Sequence, residues 1–197
     1  MALLAAGLFI PAAWPQTPPA PQQTPFQASL TPKERVKLYL WQTFGPAVIG
    51  ESALAGGLSQ WRNNPSEWHQ GMEGFGIRFG SALGHAAVDH TIESSLAAVR
   101  GEDPRYRPSG LTGFWPRTRY AIIHTFKNQS ADGEETIAVS RIVGVYGGWQ
   151  IARTWYPARD NSAAFGLEHG SITMGLHVGR RIFHEFWPDI QKKVFGR

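Results

Sequence analysis

Glycine recurs at four-residue intervals in three separate stretches of this 197-residue chain: Gly76, Gly80 and Gly84; Gly144 and Gly148; Gly175 and Gly179. Each stretch also carries helical periodicity, so each set lines one face of a helix. A glycine inside a helix costs about 1 kcal/mol against alanine. Repetition at this spacing therefore calls for a compensating gain, and the usual one is close approach of a second helix. The expected fold is mainly α: a compact bundle of three to five helices with glycine-mediated packing and a short β-hairpin. A leucine at Gly80 is expected to unfold it or break up its oligomers.

Start and stop signals set the boundaries. Thr31-Pro32-Lys33-Glu34 is a capping box with proline at the first helical position, and Gly45-Pro46 breaks the helix it opens. Asn64-Pro65-Ser66-Glu67 repeats the start signal, and predicts a long helix reaching about Arg100 with interruptions near Gly71 and Gly74. Residues 101–116 are a loop rich in proline, glycine and arginine. Arms near AIIHTF and ETIAV, joined through Ala131-Asp132-Gly133, read as the hairpin, although YAIIHTF fits a helix as well. Two further helical stretches follow, and Pro188 is expected to restart a terminal turn.

Residues 1–14 form a short apolar run ending in small residues, and residues 15–30 are a proline-rich linker. That order is the one expected of a secretory leader, here without its basic front, as a start placed too far downstream would leave it. The predicted organisation is a signal-peptide-like segment over 1–14, a linker over 15–30 and a single helical domain over 31–197. Export to the periplasm, or association with an outer membrane, is the expected location.

The chain has no cysteine, which removes disulfides, thiol catalysis and thiolate metal sites. Its net charge of +4 is spread along the chain, which argues against nucleic acid as a partner. Mean hydropathy is −0.26, and the apolar stretches carry charges, so no stretch reads as a confident spanning helix. Eight tryptophans and the aromatic–proline groups at Trp115-Pro116, Tyr156-Pro157 and Trp187-Pro188 suit either a headgroup boundary or the plugged ends of a bundle.

One constellation has metal-ligand character: His85, Asp89, His90 and Glu93. On a helix 85, 89 and 93 share a stripe, with 90 on its flank, and imidazole plus carboxylates suits a divalent cation such as iron, manganese or zinc. His177 and His184, two turns apart around Arg180, form a weaker pair. No nucleophile elbow is present, and Gly74-Phe75-Gly76-Ile77-Arg78-Phe79-Gly80 imitates a phosphate fingerprint without its spacing or its preceding strand. Asp103 and Arg105 are expected to form an ion pair that ties down their loop.

As a set, LTPKERVKLYLWQTFGP, NNPSEW, EDPRY, GFWPR, VSR, TWYP and EFWPDI resemble a group of exported proteins of unassigned function found chiefly in acidobacterial genomes. The resemblance covers residues 30–197. It implies export and a bacterial envelope setting, and transfers no activity to any residue. The leading expectation is thus a non-enzymatic envelope protein that acts on a membrane surface or an envelope protein partner, with room for a homo-oligomer. A metal-dependent enzyme built on the His/Asp/His/Glu cluster is the alternative, and a carrier of an apolar ligand between Trp-rich helix ends is a third.

Overall fold

A computed structural model describes residues 30–196; the leader-like segment and the linker up to residue 29 lie outside the described residues. The elements run α1 (Pro32–Phe44), α2 (Pro46–Trp61), α3 (Gly71–Arg100), α4 (Phe114–Ile123), β1 (Lys127–Gln129), β2 (Glu135–Ile137), α5 (Val139–Ala152) and α6 (Ala163–Phe195), with short 3-10 turns between some of them. The chain is mainly helical with one two-stranded antiparallel hairpin. The long α3 is central, packing against α1, α2 and α5; α6 packs on the far side of α5 and carries α4.

The first boundary follows from local chemistry. Thr31 accepts from the Glu34 amide at 3.3 Å, while the Glu34 carboxylate accepts from the Thr31 amide at 2.8 Å. Gly45 then separates α1 from α2, and Pro46 occupies the first turn of the new helix. Asn64-Pro65-Ser66-Glu67 does not open the long helix. It yields only a 3-10 turn, Ser66–Trp68, and α3 begins at Gly71. The cause lies ten or more residues downstream. The buried Arg78 guanidinium donates to the carbonyls of Asn64, Pro65 and His69 and to Gln60 Oε1, so it holds this segment as a loop on the side of α3.

The first predicted hairpin arm is the end of a helix instead. Thr125 Oγ1 donates to the Ala121 carbonyl at 2.9 Å, and the His124 ring bonds the Tyr120 carbonyl, so residues 121–125 stay wound. Strand pairing starts only at Lys127, in the register Lys127↔Ile137, Asn128↔Thr136 and Gln129↔Glu135. Pro188 does not restart a helix; it lies inside α6, where Arg117 takes the Glu185 carbonyl just before it.

The expected glycine faces divide. A Cβ at Gly144 or Gly148 would stand 2.8–3.3 Å from atoms of Asp89 and Glu93 on α3. Gly84 meets only Trp155, at 3.9 Å. Gly76, Gly80, Gly175 and Gly179 are corrected: a Cβ on any of them would meet nothing within 4 Å. These four lie on exposed faces of α3 and α6. Other glycines take the tight positions. A Cβ at Gly56 would stand 3.0 Å from the Phe79 backbone, and one at Gly166 or Gly170 would stand 2.6 Å from the side chain of Gln150 or Tyr146.

Candidate functional site

The inward stripe of α3 contains Arg78, Ser81, Asp89, His90, Glu93 and Ala97, and the facing stripe of α5 contains Ser140, Arg141, Gly144 and Gly148. Charge is thus packed between helices where a soluble bundle would place leucine.

Asp89, His90 and Glu93 bring ligand atoms within 4.8 Å of one another. His85 does not join them. Its ring lies 4.1 Å from that of Trp149, and its Nε2 is buried with no partner. Burial holds three imidazoles neutral: His85 and His90 are depressed to about 4 and His177, on α6, to about 3, with Arg180 adding to the effect at His90 and His177. Burial, reinforced by Glu93, raises the Asp89 carboxyl to about 8. Burial also raises Glu93, against the pull of Arg141, whose Nε stands 3.3 Å from Glu93 Oε1.

An imidazole and two carboxylates are a reasonable donor set for a divalent cation, and the orphaned Asp89 Oδ1 lacks a partner that a cation would supply. One observation weighs against a resident cation: Arg141 Nε stands 3.3 Å from Glu93 Oε1 and brings a positive charge to the cluster. Burial, by raising the Asp89 carboxyl, favours its protonated form over the carboxylate that a metal would need.

A second buried network extends the first. Glu102, 1% exposed, accepts from Ser140 Oγ at 2.5 Å, Asn128 Nδ2 at 2.9 Å and Arg100 Nε at 2.5 Å. Burial alone would raise its carboxyl, yet these donors hold it below the usual range. Arg141 completes the circuit by donating to Asn128 Oδ1 and to the Thr125 carbonyl, both at 2.8 Å. A third buried carboxylate, Glu185, accepts from Tyr106 at 2.6 Å, from Ser109 and from Arg117.

Asp103 and Arg105 meet through a bidentate contact, with Nε and Nη2 at 2.9 and 2.7 Å, and Arg107 shares Asp103 at 3.3 Å. His184 and His177 are not brought together with Asp89 and Glu93 in one ligand group among the described residues.

Glu102, Arg141 and Glu185 escape sequence reasoning because the donors and acceptors that bury them come from other elements of the chain. The legible signal was the inverted stripe of α3, where Arg78, Asp89 and Glu93 share a face with Gly74 and Ala97, while Met72, Ile77 and Val99 lie elsewhere. No helix among the described residues is long and apolar enough to cross a membrane. No protein-family model, curated protein or solved structure matches the chain.

Proposed function

We propose that this chain is a non-enzymatic cell-envelope protein that works through its apolar exterior, seated at a membrane surface. One observation carries the reading: polarity is inverted. Among the described residues fourteen buried side chains are polar or charged against eight apolar, and large apolar side chains are exposed on every helix. They include Leu40 and Trp41 on α1, Leu54 and Trp61 on α2, Trp115 on α4, and Leu176 and Phe183 on α6. A soluble surface carries apolar atoms too, but exposed large side chains in this number mark a surface that is normally covered.

Their spread over all six helices favours a continuous apolar phase over one discrete partner. Exposed Trp41, Trp61 and Trp115 fit a headgroup boundary, where an indole buries its ring and keeps its N–H wet. Several of the buried charges pair with one another, as Glu93 does with Arg141 and Glu102 with Arg100, which leaves the apolar exterior as the working surface. The motif resemblance to exported proteins points the same way.

Fractionation of cells expressing the full chain, followed by a carbonate wash of the membranes, tests this. Retention in the washed pellet is expected. Quantitative release into the soluble fraction as a monomer would overturn the proposal, and release as a larger assembly would move the covering surface from lipid to protein.

A further inference from the structure

Arg181, on α6, is 8% exposed, yet it makes no hydrogen bond and has no carboxylate within 4.0 Å among the described residues. Its guanidinium lies 4.8 Å from the centre of the Tyr106 ring, a cation–π contact that does not neutralise it. The carboxylate one turn along, Glu185, is already taken by Tyr106, Ser109 and Arg117. Without an anionic partner among the described residues, the charge of Arg181 is left to an anion that enters beside it.

Arg181 borders a cleft with about 30 Å³ of free space between α4, α6, the hairpin and the 103–107 loop. Arg105, Arg107 and Lys127 also line it, against a single carboxylate, Glu135. Glu135 is occupied by Lys127 at 2.6 Å and by His124 at 2.8 Å, and Asp103 behind the wall is shared by Arg105 and Arg107. The cleft keeps an excess of positive charge.

A further polar group lines the cleft: the Tyr120 hydroxyl, whose ring is stacked 3.6 Å from that of His124, makes no hydrogen bond among the described residues. A water needs roughly 10–15 Å³ of such space, so the cleft suits one small end group and excludes a base or sugar ring.

We propose that this cleft binds a small phosphate-type oxyanion, with Arg181 as its principal partner and Arg107 and the Tyr120 hydroxyl as flanking donors. Phosphate carries the charge for the guanidinium groups and acceptor oxygens for the hydroxyl. The same chemistry occurs in free phosphate and in a phosphomonoester lipid headgroup. The inference does not depend on how the exterior is covered.

The test is calorimetric titration of the full chain with inorganic phosphate, alongside sedimentation with vesicles of phosphatidylcholine alone or with added phosphatidic acid. Saturable binding of phosphate that weakens at least about tenfold in Arg181→Gln, and several-fold in Tyr120→Phe, is expected for a free-anion site. Binding to phosphatidic-acid vesicles alone, equally dependent on Arg181, identifies the headgroup as the source. Arg181→Gln should melt no lower than the parent, because it removes an unpaired buried charge. No saturable binding to either probe, or binding indifferent to Arg181→Gln and Tyr120→Phe, would overturn the proposal.

Discussion

Gly144 lies directly against Asp89: a methyl group at position 144 would stand 2.8 Å from Asp89 Oδ1 and 3.1 Å from the Asp89 carbonyl oxygen. One turn on, a methyl group at position 148 would stand 3.1–3.2 Å from the Cβ and Cα of the same residue. The α3–α5 seam is therefore a carboxylic acid lodged over two small residues, and not an interlock of apolar side chains. This contact sets the distance between the helices that carry most of the buried charge.

It follows that Gly144→Ala should destabilise the fold by about 1–3 kcal/mol, since besides the Asp89 carboxyl oxygen its neighbours are Glu93 Cβ and the Asp89 carbonyl, which yield little. Gly80→Ala should do the opposite and gain about 1 kcal/mol, because its position is open and alanine is the better helix former. Thermal melts of the two variants in one buffer check both. Destabilisation by Gly80→Ala would mean that this face is packed against something the isolated chain does not contain.

Glu102 makes a second prediction. Its carboxylate receives Ser140, Asn128 and Arg100 while almost fully buried. Glu102→Ala leaves those donors unpaired and should cost about 3 kcal/mol. Glu102→Gln keeps the shape but presents an amide N–H₂ where an acceptor was, so it should recover only part of that loss. Urea denaturation of the two variants gives the comparison. An effect under about 0.5 kcal/mol for Glu102→Ala would show that water replaces the network.

The helical class was legible because its signals are local. The Thr31–Glu34 box, the Gly45-Pro46 break and the turn before Glu135 act within a few residues of themselves. What stayed hidden depends on distant partners. The Asn64-Pro65 start fails because Arg78 collects the carbonyls around it, which no local rule anticipates. Glycine spacing identifies a helix face but not which way that face points, so Gly144 and Gly148 meet a neighbour and Gly76 and Gly80 do not. The Asp89, His90 and Glu93 grouping was visible as helical spacing. Its neutralisation by Arg141 was not, since residue 141 comes from another helix and reads in isolation as ordinary solvated charge.

That neutralisation bears on metal binding. Arg141 Nε, 3.3 Å from Glu93 Oε1, supplies the positive charge a cation would bring. Protein purified without chelators should hold far less than one equivalent of iron, manganese or zinc by mass spectrometry, and EDTA should leave its melting temperature unchanged. A stoichiometric metal that disappears in both His90→Ala and Glu93→Gln would instead establish the Asp89, His90 and Glu93 group as a ligand set.

The buried groups also fix how stability varies with pH. Asp89 is raised to about 8 in the fold against an unfolded value near 4, so the folded chain holds a proton that the unfolded chain releases. The stability tied to Asp89 is complete below about pH 4 and is lost as pH rises through 8. His85, His90 and His177 act in the reverse sense. Their folded values of about 4, 4 and 3 lie below the unfolded value of about 6.5, so their contribution is complete above 6.5 and is lost as pH falls towards 4. Between about 4 and 6.5 three histidines oppose Asp89 and Glu93, whose carboxyl burial also raises, and stability rises with pH; above 6.5 only the raised carboxyls act and stability falls. Melting temperature should therefore peak near about pH 6.5. Asp89→Asn should lessen the decline on the alkaline side while leaving the acid limb in place, and His177→Gln should make the acid limb shallower. A profile that falls as steeply between pH 6.5 and 8 in Asp89→Asn as in the parent would assign that proton to Glu93, the other buried carboxyl of the cluster.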